Sequence, residues 1–250
     1  MNINKFVKKK NGMYSIFLED GDVLVVHEDL ILKYDLLLTK KISDEGKEKI
    51  LAENLNYIAY SLAIKYITVR QRSRKEIIKY LSDKNVDKDI IDKTVSLLEK
   101  QKYINDVFFA ESFINDKILL SLDGPYKVKK MLLEEGISEN VIDNKLIKFT
   151  DSLCSERIKK VATKMIATNR NKSTQVLKNK IVNYLCTLGY DRSLILSVLN
   201  TLSFNSDKDI YKKEYDKVYK RLSRKYSGSE LEYKVKQKMY ALGFTNNSFD

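Results

Sequence analysis

The sequence is poor in helix-breaking residues and in the residues that build most catalytic or metal sites. Of its 250 residues, 8 are glycine, 1 is proline, 2 are cysteine and 1 is histidine, and tryptophan is absent. Scarce glycine and proline favour long helices. The lone histidine, His27, and two cysteines without ligand spacing argue against a zinc centre or a disulfide framework. No apolar run approaches the ~20 residues that a membrane span needs.

Recognisable catalytic motifs are also missing. The sequence contains no phosphate-binding loop of the Gly-x-x-x-x-Gly-Lys kind, no dinucleotide fingerprint and no nucleophile elbow. Its N-terminal lysines lack the apolar stretch of a secretory signal. Cys154 and Cys186 lie among apolar neighbours in helical patterns, which favours buried free thiols, and a histidine at a strand end is usually a surface residue. We therefore expect a cytoplasmic, monomeric protein that is not an enzyme and needs no cofactor.

One short pattern recurs four times between residue 75 and the C-terminus. Its copies align on a residue that ends a predicted helix, with spacings of 51, 53 and 54 residues: Asn85, Gly136, Gly189 and Gly243. Glycine and asparagine adopt the left-handed conformation of a helix C-terminus most easily. Two residues further on stand side chains that favour the start of the next helix: Asp87, Ser138, Asp191 and Thr245. Each copy therefore predicts a helix, a tight turn and another helix.

This repeat predicts a mainly α fold, an elongated array of tandem three-helix repeats behind a small N-terminal β-hairpin module. Strand-forming runs at 13–18 and 23–26 flank the turn signal Glu19-Asp-Gly-Asp22, and Ile3 to Val7 suggests a third strand. We place the β module and a linking helix at 1–52. Three-helix repeats follow at 54–104, 105–154 and 155–207, with a partial repeat at 208–250.

The net charge of +12 is concentrated in the last part of the chain. Residues 155–250 contain 20 Lys or Arg against 9 Asp or Glu, whereas residues 1–154 contain 26 against 25. A basic region of this kind suggests a polyanionic partner, either nucleic acid or an acidic protein surface.

The clearest candidate surface lies at 209–227, where one helix would carry two different faces. Six residues at helical spacing predict a core face: Tyr211, Tyr215, Val218, Tyr219, Leu222 and Tyr226. On the opposite side the helical count places four cations, which we call the basic row: Lys213, Lys217, Lys220 and Arg224. The basic row is suited to phosphates or to acidic side chains. It is equally typical of a solvated outer face.

A second group of cations, the basic cluster, opens the array: Arg70, Arg72, Arg74 and Lys75. Among them, Ser73 and Glu76 have the spacing of a capping box. Helix starts favour acidic residues, so cations at this place run against the local preference. That conflict favours a binding role for the basic cluster.

Several of these features occur together in one known family. The chain carries Ser73-Arg-x-Glu76 with Leu81, Val86 and Ile91, then Tyr103-Ile-Asn-Asp106-Val-Phe-Phe109-Ala110, then Gly124-Pro125 and Gly136-Ile137. In this order and spacing, over about residues 54–250, the chain resembles the RecX regulatory proteins. It departs from their pattern where Asn85 replaces the usual glycine and where the third copy lacks a Gly-Pro step.

The resemblance implies a function that the repeats alone do not supply. It implies a non-catalytic regulator that binds the RecA filament on single-stranded DNA and inhibits RecA activities, including filament extension, ATPase, strand exchange and co-protease activity. Recombination and the SOS response would be moderated as a result. Two alternatives remain open: a helical-repeat module that binds DNA or RNA directly, and a scaffold for another protein that does not depend on RecA.

Overall fold

The computed structural model describes residues 1–10, 12–204 and 207–244. It opens with three strands and continues, within the described residues, with 13 helices. The mainly α class with an N-terminal antiparallel sheet is therefore confirmed. None of the described helices combines the length and apolar character of a membrane-spanning segment. The elements are β1 (Ile3–Lys8), β2 (Met13–Leu18), β3 (Val23–His27), α1 (Glu28–Lys33), α2 (Leu36–Thr39), α3 (Asp44–Val69), α4 (Arg74–Asp83), α5 (Lys88–Lys100), α6 (Asp106–Leu120), α7 (Pro125–Glu134), α8 (Glu139–Leu146), α9 (Asp151–Thr168), α10 (Thr174–Thr187), α11 (Arg192–Asn200), α12 (Asp207–Leu222) and α13 (Gly228–Ala241).

Two compact units make up the chain. The first contains Met1–Ala110 and Glu135–Ile137, and the second contains Glu111–Glu134 and Ser138–Asp250. Helix α3 runs unbroken through residues 52–54, where the sequence analysis separates the β module from the first repeat. The division into repeats stays a prediction.

The N-terminal sheet has the antiparallel order β1-β2-β3, and the β2–β3 turn lies at the predicted Asp-Gly step. Alternate residues of a strand point to one face. On β2 and β3 those residues are Ile16, Leu18, Leu24 and Val26, which are buried in a core with Leu30 of α1 and Ile50 of α3. One face of the sheet is therefore buried against α1 and α3.

Asn54 of α3 blocks the outer edge of β3. Its side-chain carbonyl accepts a hydrogen bond from the His27 N–H at 2.9 Å, and its amide donates to the Val25 carbonyl at 2.8 Å. A free strand edge offers unpaired backbone groups to other chains. The buried amide of Asn54 satisfies two of these groups as a neighbouring strand would, and it ties β3 to α3.

In the first unit, α3 packs on α4 and α5 through small residues. The core joins Ala59 and Ala63 of α3 to residues of the two following helices: Ile77, Leu81, Ile91, Val95 and Leu98. The apolar spacing in the sequence singles out Leu55, Ile58, Leu62 and Tyr66 instead, yet Leu55 is exposed and the others are half-buried. Alanine lies at the centre of the contact because it lets helix backbones approach closely.

The predicted turn conformations are confirmed. Asn85, Gly136, Gly189 and Gly243 have positive φ values of 57°, 80°, 89° and 90°. Ser73 and Glu76 form the predicted capping box at the start of α4. Asp87, Ser138 and Asp191 are N-caps of α5, α8 and α11, and of these only Asp191 makes a side-chain cap hydrogen bond. Thr245 lies outside the described residues.

The start of a helix in one copy lies against the tight turn of the next copy. Before α7, the Gly124 N–H donates to the Leu188 carbonyl at 2.6 Å, and the Tyr126 N–H donates to the Gly189 carbonyl at 3.0 Å. Before α10, the Ser173 N–H donates to the Leu242 carbonyl at 3.1 Å. Before α4, the Ser73 hydroxyl donates to the Glu135 carboxylate at 3.0 Å. This contact recurs three times and joins consecutive copies.

These contacts explain the glycine at two of the later turns, Gly189 and Gly243. A Cβ on Gly189 would lie 2.3 Å from the Lys127 nitrogen, and one on Gly243 would lie 2.3 Å from Cγ2 of Val176. Asn85 belongs to the first copy, so no earlier copy supplies a helix start to approach it, and its side chain is exposed. Only the left-handed conformation constrains that position, and asparagine tolerates it.

A buried arginine closes the end of α6 in the second unit. The Arg157 guanidinium donates to the carbonyls of Asp123 at 3.1 Å, Ile118 at 3.1 Å and Lys117 at 3.2 Å, and also to the carbonyl of Ser121. The last carbonyls of a helix lack partners within the helix and carry partial negative charge. Arg157 therefore satisfies the C-terminus of α6 and anchors α9 against it.

Glu111 makes a second ionic connection in the same unit. It accepts hydrogen bonds from Lys145 at 2.7 Å and from Lys148 at 2.8 Å. The hydrogen bond from Lys145, followed by that from Lys148, lowers the pKa of the Glu111 carboxyl to about 2. The carboxylate thus joins α6 to the end of α8 across the whole neutral and mildly acidic range.

We predict that Gly189→Ala is much more destabilising than Asn85→Ala. A side chain at a left-handed position costs roughly 1–2 kcal/mol, and the overlap with Lys127 adds about 1–3 kcal/mol of overpacking. Asn85→Ala should show at most part of the first cost, because asparagine already carries a Cβ and only its greater tolerance of this conformation is lost. Urea denaturation followed by circular dichroism measures both variants, and equal losses would show that the close approach is unimportant.

Candidate functional site

The α12–α13 hairpin carries most of the basic row. Ile210 and Val218 of α12 are buried against Leu231, Val235 and Met239 of α13, with Tyr211 and Tyr215 partly buried beside them. Lys213, Lys217 and Lys220 lie on the other side of α12, and all three are exposed. The structure therefore brings these three cations onto one accessible helix face.

Arg224 does not continue this helix, contrary to the prediction of a helix over 209–227. Helix α12 ends at Leu222, whose carbonyl accepts the N–H groups of Lys225 at 2.9 Å and Tyr226 at 3.0 Å. The chain must reverse here so that α13 can pack back on α12. Arg224 is therefore exposed in the connecting turn, and the helical part of the basic row consists of three lysines.

One carboxylate beneath the basic row was missed in the sequence analysis. Glu214 is only 8% exposed, and its carboxylate lies 3.5 Å from the Lys217 ammonium. Charged side chains are seldom buried without a partner. Lys217 thus presents charge to solvent and also lies close enough to offset part of the charge of the buried carboxylate.

Three tyrosines of α12 form a stacked series beside the basic row. The ring centroids of Tyr211 and Tyr215 are 5.8 Å apart, and those of Tyr215 and Tyr219 are 6.1 Å apart. Burial raises the pKa of the Tyr215 hydroxyl. Tyr219, predicted on the core face, is exposed, because the series turns gradually around the helix toward solvent.

Two arginines of the basic cluster are engaged in local structure. The Arg72 guanidinium lies 3.8 Å from the centroid of the Tyr66 ring, and its Nε donates to the Tyr66 carbonyl at 3.3 Å. Both Arg70 and Arg72 pair with Glu76, which also accepts from the Ser73 N–H at 3.1 Å. The Arg72 side chain is only 10% exposed. These cations hold the start of α4 against the end of α3.

The other two members of the basic cluster are more accessible. The Arg74 side chain is exposed, and its Nε donates to Glu99 at 2.9 Å. Lys75 is exposed, and its methylene groups lie near Gly136. Since Glu76 and Glu99 offset much of this positive charge, the basic cluster offers less net charge to a partner than the basic row does.

His27 and the cysteines differ in part from the expectation. His27 is half-buried rather than a surface residue: its ring stacks on Tyr57 at 5.4 Å, and its Nδ1 accepts from the Asp29 N–H at 3.3 Å. Cys154 is buried, and burial raises the pKa of its thiol, but Cys186 is exposed. Across the described residues, no group of three or more His, Cys, Asp or Glu side chains could hold a metal ion.

Comparison with known proteins gives consistent matches over nearly the whole chain. Residues 59–98 match the family model described as RecX, first three-helix domain. The chain is 32% identical over 253 residues to the regulatory protein RecX of Streptococcus agalactiae serotype III (strain NEM316), covering 98% of this chain and 95% of that protein. It is also 32% identical over 248 residues to the regulatory protein RecX of Lactococcus lactis subsp. cremoris (strain SK11), covering 96% and 92%.

Solved structures show the same relationship. A crystal structure of regulatory protein RecX matches with a TM-score of 0.68 and 25% identity, covering 80% of this chain and 98% of that one. The crystal structure of RecX from Lactobacillus salivarius matches with a TM-score of 0.56 and 28% identity, covering 59% and 96%.

We predict that Arg72→Gln destabilises the first unit while Arg74→Gln does not. The first change removes a cation–π contact and a hydrogen bond to a backbone carbonyl, together worth about 1–2 kcal/mol. The second removes one exposed ion pair, worth about 0.5 kcal/mol or less. Thermal unfolding of the two variants makes the comparison, and an equal effect would contradict a structural role specific to Arg72.

Proposed function

The chain belongs to the RecX family of regulatory proteins, and on that basis we propose that it binds a RecA filament on single-stranded DNA and inhibits RecA. It acts as a non-catalytic regulator in this proposal. The activities affected are filament extension, ATPase, strand exchange and co-protease activity, and recombination and the SOS response are moderated in consequence. The observation that carries the proposal is the match to RecX proteins along nearly the whole chain.

The electrostatics of the second unit support a polyanionic target. Residues 155–250 hold 20 Lys or Arg against 9 Asp or Glu, and three lysines of the basic row are aligned on the accessible side of α12. A filament of protein on single-stranded DNA presents both phosphates and acidic side chains. We assign the main contact to Lys213, Lys217, Lys220 and Arg224, and a secondary one to Arg74 and Lys75, with Arg70 and Arg72 positioning that segment.

Direct binding to nucleic acid, without RecA, is the second candidate function. The same positive charge favours it, because lysines and arginines can neutralise phosphates. Each phosphate neutralised on a single strand should contribute roughly −0.7 to the slope of log K against log salt. Tight, salt-dependent binding to bare DNA without any effect on RecA would favour this alternative. If the chain bound neither RecA nor bare DNA, a scaffold for some other protein would be the remaining alternative.

We predict inhibition of the DNA-dependent ATPase of RecA at substoichiometric amounts of the chain. An inhibitor that acts on a filament affects many RecA protomers at each binding event, so few copies should suffice. Steady-state ATP hydrolysis on single-stranded DNA, titrated with the chain, measures the effect. Unchanged hydrolysis at every ratio would contradict the proposed function.

We further predict that the triple variant Lys213→Glu, Lys217→Gln, Lys220→Glu weakens this inhibition roughly 10-fold. It removes positive charge from the face of α12 that would contact the partner. Glutamine is used at position 217 because a second carboxylate beside the buried Glu214 would disturb folding. The matched control places the same charge change on exposed lysines of α5: Lys88→Glu, Lys93→Gln and Lys100→Glu.

The control variant has the same net charge as the triple variant but leaves α12 intact. It should inhibit nearly as well as the unmodified chain. Equal loss in both variants would mean that total charge, rather than the basic row, determines binding. Circular dichroism checks that each variant keeps its helical content.

A further inference from the structure

Helix α13 presents an aromatic and cationic face that packing among the described residues does not explain. Its buried side consists of Leu231, Val235 and Met239. Residues at spacings of three, four and seven lie together on one face of a helix. On the side opposite the core, this spacing places four residues that we call the tyrosine stripe: Tyr233, Lys236, Gln237 and Tyr240.

The two tyrosines of the stripe are among the most exposed large side chains of the second unit. Tyr233 is 64% exposed and Tyr240 is 73% exposed, so neither ring contributes much to the core. Aligned on the turn glycines, the positions equivalent to Tyr240 hold Ser82, Leu133 and Cys186. The repeat therefore does not require an aromatic ring there, and the exposed rings call for another explanation.

Positive charge predominates along the stripe. Residues 233–240 include three lysines, Lys234, Lys236 and Lys238, and no acidic residue. Within the described part of the chain, none of the three has a carboxylate partner at ion-pair distance. Acidic residues of α13 occur only near its start, at Glu230 and Glu232. Toward its C-terminus the helix offers rings and ammonium groups together.

We propose that the tyrosine stripe binds single-stranded DNA directly, with bases stacked on Tyr233 and Tyr240 and a phosphate held by Lys236. The rings lie seven residues apart, about 10 Å along the helix axis. Surfaces that bind single strands combine cations for the backbone with aromatic rings on which bases of any sequence can stack. An acidic protein surface would be matched by the lysines alone and leaves the exposed rings unexplained.

This contact differs from that of the basic row in its dependence on salt. Ion pairs with phosphates weaken as salt rises because counterions are released on binding. Stacking of a base on a ring neutralises no phosphate, so its contribution to affinity should not depend on salt in this way. The inference rests on the proposed function only in placing the chain on single-stranded DNA. It requires no contact between the stripe and RecA.

The test uses the full-length chain, a fluorescein-labelled oligothymidylate and no RecA, with binding followed by fluorescence polarisation. Tyr233→Ala with Tyr240→Ala should raise Kd at least about 10-fold, since each stacked base is worth a substantial factor, and should leave the salt slope unchanged. Tyr233→Phe with Tyr240→Phe keeps both rings and should stay within about twofold of the unmodified chain.

Tyr126→Ala supplies the matched control, because Tyr126 is an exposed tyrosine of the same unit outside the stripe. It should not change Kd. Lys236→Gln should reduce the salt slope by roughly 0.7, as expected for one phosphate on a single strand. All of these side chains are exposed or partly so, and a thermal melt of each variant checks that folding is retained.

Three results would overturn the inference: no binding of the oligonucleotide by the unmodified chain, no change of Kd in the double alanine variant, or equal losses in the alanine and phenylalanine variants. An unchanged Kd in the double alanine variant together with a loss of its RecA inhibition would assign the stripe to a protein partner. If the chain binds the oligonucleotide as expected but never inhibits RecA, the proposed function fails and this inference stands.

Discussion

The contact between a glycine turn and the helix start of the preceding copy is the constraint on which the rest of the structure depends. At Gly189 the backbone is left-handed, and the space for a Cβ is already filled by Lys127. Gly124 approaches the same turn from the other side, and Pro125 begins α7 where its missing N–H costs nothing. The Gly-Pro step and the glycine turn thus contact each other directly. Arg157 binds the carbonyl of Asp123, next to Gly124, and the last carbonyls of α6.

The same contact positions the candidate surfaces of α12 and α13. Gly243 ends α13 by fitting against Ser173 and Val176 at the start of α10, so the α12–α13 hairpin is held at one end by backbone packing. Its inner side chains supply a small apolar core. The three lysines of the basic row and the tyrosine stripe therefore lie on helices rather than on loops, and their spacing is set by helix geometry. A surface of this kind suits an extended, regularly charged partner.

The two units differ in how far nearby carboxylates offset their positive side chains. In the first, the cations of the basic cluster are largely offset by Glu76 and Glu99, and Arg72 is packed on Tyr66. In the second, lysines of α12 and α13 outnumber nearby carboxylates, and most of them face solvent. Like charges on one surface repel one another and do not help the chain to fold. The exposed lysines on α12 and α13 are therefore consistent with a partner of opposite charge.

Local pattern alone identified the repeat, the capping box, the left-handed turns and the strands that flank the Asp-Gly turn, because neighbouring residues decide each of them. Four predictions that required knowledge of distant contacts were wrong: the helical continuation to Arg224, the burial of Tyr219, the burial of Cys186 and the surface position of His27. The roles of Asn54, Arg157 and Glu214 were not foreseen, since each depends on a partner from another turn or element. Spacing along the chain determined which elements form, whereas only the tertiary structure decided which face of each helix is buried, because burial depends on what packs against it.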